Sequence, residues 1–201
     1  METGEIKSLQ LLKQAFDKST NSTQFIDSRN LLSREQVDKA KTPVLFVELA
    51  SGQNGTLTPY PGQGFGQTWL GADGATITLE RGILKASRGM GDDLMGSSLS
   101  IPPWSQIYKE TENYSRELSQ ITGNNKNSKR VFSCAIEKTS RGELIEIWDI
   151  KFKVTKFEET CFNSRLTFKN TYQIDTQGII RRSAQYHSET LGYILIERLD
   201  R

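Results

Sequence analysis

The chain of 201 residues carries a formal net charge of +2 at pH 7, with 35% hydrophobic and 25% charged residues and a mean hydropathy of −0.53. Basic residues are scattered, with adjacent pairs only at Lys129-Arg130 and Arg181-Arg182, so a nucleic-acid surface finds no support. No apolar run approaches the ~18 residues of a membrane-spanning helix, the longest clear one being Val44-Leu45-Phe46-Val47. Met1 to Glu5 form neither a basic nor an apolar leader region, so no secretory signal is expected in these residues. Ile6, Leu9, Leu12 and Phe16 recur at helical spacing between Gly4 and Lys18 and predict an amphipathic helix, broken by the polar run Ser19 to Thr23. Ser33-Arg34-Glu35-Gln36 has the spacing of a capping box and predicts a second short helix, ended by Pro43.

Val44 to Leu49 then begins a sheet. Gly52 to Gly66 holds five glycines and two prolines and reads as a loop, with a short strand around Thr56 to Tyr60. Its Gly62-Gln63-Gly64-Phe65-Gly66 segment lacks the Gly-Lys-Ser/Thr continuation of a phosphate loop. After the Asp73-Gly74 turn, Ala75, Ile77 and Leu79 alternate with Thr76, Thr78 and Glu80, and Arg81-Gly82 reverses the chain into a strand through Ile83, Leu84 and Ala86. Met90 to Gln106 reads as irregular and Tyr108 to Leu118 as polar with weak helical spacing. Gly123 to Ser128 marks a loop. Beyond Arg130 the period-two signal is clear in Ile150, Phe152 and Val154 and in Leu166, Phe168, Tyr172 and Ile174. Turns are expected at Arg141-Gly142 and Gln177-Gly178, and a last strand from Tyr193 to Leu199. The expected fold is mainly β: an antiparallel, strongly curved sheet or partial barrel (residues 43–201), with N-terminal helices (residues 1–42) packed on it as one globular unit.

Two cysteines, Cys134 and Cys161, lack metal-ligand spacing, and one histidine completes the chain's inventory, so no metal site is expected. They read as a disulfide, worth roughly 3 to 4 kcal/mol through loop closure, or as two buried free thiols. His187 alone gives no support for a nucleophilic triad and reads as a surface or structural residue. Asp92-Asp93 offers a cation site or an acid/base pair, or a turn salt-bridged by Arg88. Trp69, Trp104, Tyr60 and Tyr114 are candidate glycan contacts, while Trp148 reads as core. The carboxylates clustered in sequence are Asp92, Asp93, Glu158 and Glu159. No cofactor is indicated.

The segment Arg88-Gly89-Met90-Gly91-Asp92-Asp93-Leu94-Met95, preceded by Trp69 and the Asp73-Gly74 hairpin, resembles the signature of the YjbF/GfcB family of bacterial lipoproteins. Similar landmarks follow in order: Glu158-Glu159-Thr160-Cys161, Phe168-Lys169-Asn170-Thr171-Tyr172, Asp175 to Gly178, Ser183-Ala184-Gln185 and Gly192-Tyr193-Ile194. The likeness spans about Pro43 to Leu199. Gln173 stands where the family often has Trp, and Tyr186 to Thr190 lacks the family's Trp and Pro. In the signature turn, Gly89 and Gly91 are expected at backbone angles closed to other residues, with Arg88 bonding an Asp or a carbonyl.

The resemblance implies a mature body whose export segment and lipid-modified cysteine lie in a precursor. It implies the periplasmic face of the outer membrane, an oxidising setting that suits the Cys134–Cys161 pair. It further implies a non-enzymatic accessory to capsule or exopolysaccharide secretion, whose partners are other export proteins or the polymer. Two other classes compete: a glycan hydrolase working through paired carboxylates, and a lipid or lipoprotein carrier with an apolar cavity inside the sheet.

Overall fold

The structure, a computed structural model, describes residues 26–62, 66–101, 110–121 and 127–201. Twelve antiparallel strands form one sheet: β1 (Leu45–Leu49), β2 (Asn54–Pro59), β3 (Gln67–Gly71), β4 (Thr76–Glu80), β5 (Ile83–Arg88), β6 (Asp93–Leu99), β7 (Thr111–Ile121), β8 (Asn127–Ile147), β9 (Ile150–Phe162), β10 (Thr167–Asp175), β11 (Ile180–Ser188) and β12 (Gly192–Arg198). Their order is β5-β4-β3-β2-β1-β12-β11-β10-β9-β8-β7-β6. The two edges of the sheet are therefore consecutive strands, and the sheet curls until they meet as a nearly closed barrel. Alternation explains the inward face: on β10, Phe168, Asn170, Tyr172 and Ile174 are buried, and the residues between them are only partly so. The main core runs through the interior, from Leu45, Val47 and Leu57 past Ile77 and Leu94 to Phe132, Phe168 and Ile194.

A second, smaller core sits outside the barrel wall. β8 is 21 residues long and passes through two irregularities, between Lys138 and Ser140 and between Arg141 and Glu143. Gly142 there has φ +75°. Arg141-Gly142 is thus a bulge inside a continuing strand and not the expected turn, which lies instead at Trp148-Asp149. The two one-residue bulges cancel, so parity is kept and it is the buried face that changes. Before them Phe132, Cys134 and Ile136 are buried in the barrel; after them Ile145 and Ile147 pack with Val44, Phe46, Val154 and Leu199. Trp148 lies partly buried against that outer cluster, with Arg34 over its ring at 4.3 Å. It borders this core and is only half inside it.

The expected cover of N-terminal helices is corrected by the sheet itself. Among the described residues only a 3-10 turn (Ser28–Leu31) and a seven-residue helix, α1 (Arg34–Ala40), are helical. Curling buries the inner face without a helical layer. α1 begins with the capping box expected at Ser33 and Gln36 and sinks Val37 into the outer cluster. Arg34 then ties α1 to the Leu199 carbonyl at 2.5 Å and to Asp149. The helix expected between Gly4 and Lys18 lies outside the described residues, as does the loop core at residues 122–126. Two further expectations change. Asp93–Leu99, expected irregular, is β6, and the weakly helical segment is β7, where Tyr114, Arg116, Leu118 and Gln120 alternate inward. Half of those inward side chains are polar, which hid the period.

Candidate functional site

The signature segment sits where the sheet edges meet. An edge strand exposes unpaired N–H and C=O groups that must find other partners. Here side chains supply them. Ser87 Oγ accepts from Leu94 N at 3.0 Å, and Arg88 Nη1 donates to the carbonyls of Ser87 (2.6 Å) and Leu94 (2.9 Å). On the inner side Gln185 of β11 accepts from Leu84 N and donates to the Gly82 carbonyl, both at 2.8 Å. The turn between β5 and β6 is closed by Asp93, whose carboxylate accepts from Gly89 N (3.2 Å) and Met90 N (3.1 Å). Gly89 and Gly91 take φ +78° and +106°, a region side chains rarely adopt. Arg88 thus bonds carbonyls, and the Asp93 carboxylate serves the backbone.

Below the seam, the barrel interior holds a polar cluster built on Glu159, which is 0% exposed. Its Oε1 accepts from Tyr114 Oη (2.6 Å) and Arg116 Nη2 (2.9 Å). Its Oε2 accepts from Arg116 Nη2 (2.9 Å), Asn170 Nδ2 (2.6 Å) and Tyr172 Oη (2.9 Å). Arg116 Nη1 reaches Ser97 Oγ at 3.1 Å. Burial pushes the Glu159 carboxyl up, but Arg116 and the donated hydrogen bonds outweigh it and hold the group below its ordinary value. The phenols of Tyr114 and Tyr172 are driven up by burial and by the same carboxylate. Fixed as an ion pair and saturated with donors, Glu159 is poorly placed to exchange protons with a substrate. Glu158 lies on the opposite strand face and pairs with Lys169 at 2.6 Å. Asp92, Asp93, Glu158 and Glu159 therefore do not converge as a carboxylate pair.

Cys134 and Cys161 face each other across β8 and β9 and form a disulfide. They adjoin Glu159, but oxidised sulfurs beside a carboxylate already held by Arg116 make no metal site. His187 is not at the surface: it is 0% exposed, with Nε2 2.7 Å from Ser87 Oγ and Nδ1 without a partner among the described residues. Burial lowers its pKa to about 4, against the pull of Asp93 and Asp92. Glu159, Asn170, Tyr172 and Gln185 of the family-like landmarks are thus buried in the barrel. Asn170 also accepts from Tyr186 N (2.6 Å) where the β10–β11 ladder has opened, and Tyr193 Oη accepts from Lys169 N (3.1 Å).

Of the aromatic candidates, Tyr60 is exposed, Tyr114 belongs to the polar cluster, and Trp104 lies outside the described residues. Trp69 is buried and lines a cavity of about 420 Å³ at the end of the barrel where β1 begins and β12 ends. Sequence reasoning missed its companions Gln67, Arg81, Gln177 and Arg198, which the topology alone brings to one mouth. A second cavity of similar volume opens at the opposite end, beside Leu31, Leu49, Gly71 and Met90. Arg116 and Ser87 were also missed. The parity of Tyr114, Arg116 and Gln120 was the available signal for the first.

A nearly closed antiparallel barrel with a disulfide and a sealed polar cluster defines a compact β body. The chain belongs to the YjbF family, described as group 4 capsule polysaccharide lipoprotein gfcB, YjbF, which matches residues 10–199. The crystal structure of the hypothetical lipoprotein YmcC from Escherichia coli (K12) has a similar fold, with a TM-score of 0.72 at 16% identity. That likeness covers 90% of this chain and 98% of that one. No curated protein matches the chain. Membership places it among envelope lipoproteins tied to capsule production.

Proposed function

We propose that the protein is a non-enzymatic accessory of capsule or exopolysaccharide secretion, held by a lipid anchor of its precursor at the periplasmic face of the outer membrane. Its partners in this reading are other export proteins or the polymer. Family membership carries the reading. The separation of the candidate carboxylates supports it, since the canonical hydrolysis of a glycosidic bond uses two carboxyls about 5 to 10 Å apart across an open cleft. Glu159 is sealed, Glu158 is paired outside, and Asp93 holds backbone amides.

The test is a deletion strain alongside the purified protein. Loss of surface polymer on deletion, with no new reducing ends when the protein is incubated with that polymer, is the expected result. Release of reducing ends that vanishes in Glu158→Gln or Asp92→Asn would replace this reading with the hydrolase.

A further inference from the structure

We propose that the Trp69 cavity binds one acidic sugar unit of a polysaccharide; the choice of a saccharide rests on the capsule reading above. Its volume of about 420 Å³ lies in the range of small-ligand sites. Leu45, Trp69, Leu79, Ile180 and Ile196 supply an apolar wall. Gln67, Arg81, Gln177 and Arg198 supply the polar groups, and no acidic side chain is among the described lining residues. An acyl chain would strand the guanidinium and amide groups, and a bare phosphate would leave the apolar wall uncovered. A uronic-acid-like ring matches both parts: its C–H face meets the wall, its hydroxyls meet Gln67 and Gln177, and its carboxylate meets the rim guanidiniums of Arg81 and Arg198. Arg198, held by Asp200 through Nε at 3.0 Å, adds positive charge that is partly neutralised.

Two further observations set this mouth apart. Trp69 is 5% exposed and its Nε1 has no acceptor among the described residues, which is costly for a buried donor. The cavity is also held in shape, because the β4–β5 turn is pressed onto β11. Gly82 has φ +88°, and a Cβ there would come within 2.7 Å of Ile180 Cδ1. The backbone of Arg81, beside it at φ +50°, is thereby held at the mouth.

The experiment titrates the ¹⁵N-labelled protein with D-glucuronate, D-galacturonate and N-acetylneuraminate, with D-glucose and D-galactose as neutral counterparts, following the indole N–H signals. Loss of one signal in Trp69→Phe assigns Trp69. The expected result is a saturable shift of that signal with an acidic sugar. Neutral counterparts, and the acidic sugar on Arg81→Gln or Gln67→Ala, should bind about tenfold more weakly. Native-like spectra of these two rim variants guard against misfolding. No saturable shift with any acidic sugar, or binding unchanged in both rim variants, would overturn the site. Polymer export in the deletion strain is read separately, so failure of the cavity and failure of the capsule role are told apart.

Discussion

Replacing His187 by Gln should remove a specific acid sensitivity. The imidazole is sealed at the seam with Ser87, and burial lowers its pKa from 6.5 to about 4. Above pH 6.5 it is neutral in both native and unfolded chains, and its contribution is fully kept. Between pH 6.5 and 4 the unfolded chain takes up a proton that the native one refuses, so stability falls as pH falls. At roughly 1.4 kcal/mol per pH unit the full loss is about 3 kcal/mol, with about 2.5 kcal/mol of it spent by pH 4.5. The Glu159 carboxyl, held below its ordinary 4.5, loses its contribution at lower pH and leaves this window to His187. Urea unfolding at pH 7.5, 6.0, 5.0 and 4.5 should show the native sequence losing about 2.5 kcal/mol more than His187→Gln. Parallel losses in the two proteins, or a native imidazole titrating near 6.5 by NMR, would refute the reasoning.

Glu159→Gln should cost about 3 to 5 kcal/mol by leaving the Arg116 charge buried without its counterion, and Arg116→Met in the same chain should recover much of it; thermal unfolding of the single and double variants checks both. Replacing Cys134 and Cys161 by Ser should lower stability by about 3.5 kcal/mol for a loop closed across 27 positions, measured as a drop in denaturant midpoint. Gly82→Ala should cost about 1 to 3 kcal/mol, because its φ is unfavourable and its Cβ meets Ile180; an unchanged melting temperature would contradict that close approach.

The strands easiest to find in the sequence are those whose inward face is apolar, such as β4 with Ile77 and Leu79. β6 and β7 escaped because their inward positions hold Ser97, Arg116 and Gln120, whose partners are far away in sequence. Arg116 bonds Glu159, and Gln120 bonds the His187 carbonyl. Polarity that is satisfied only by tertiary contacts looks like exposure in one dimension. Gly142 illustrates the converse, since a glycine at positive φ serves a bulge as well as a turn, and the chain on either side decides which. The cysteine pair was legible because nothing else in the chain competed for it. The Trp69 mouth was not, because Gln67, Arg81, Gln177 and Arg198 come from separate hairpins.

Strand order also bears on how the molecule assembles. β1 to β5 form one meander and β6 to β12 another, each built from ladders between chain neighbours. Among the described residues only the β1–β12 ladder joins strands far apart in sequence, as in Leu45 with Arg198. Two locally encoded sheets can therefore form early, and the entropy of closing a chain this long is met once, when β12 finds β1. Stopped-flow refolding should show β-structure gained before the burial of Leu45 and Ile196, and weakening that single ladder should slow the final phase alone.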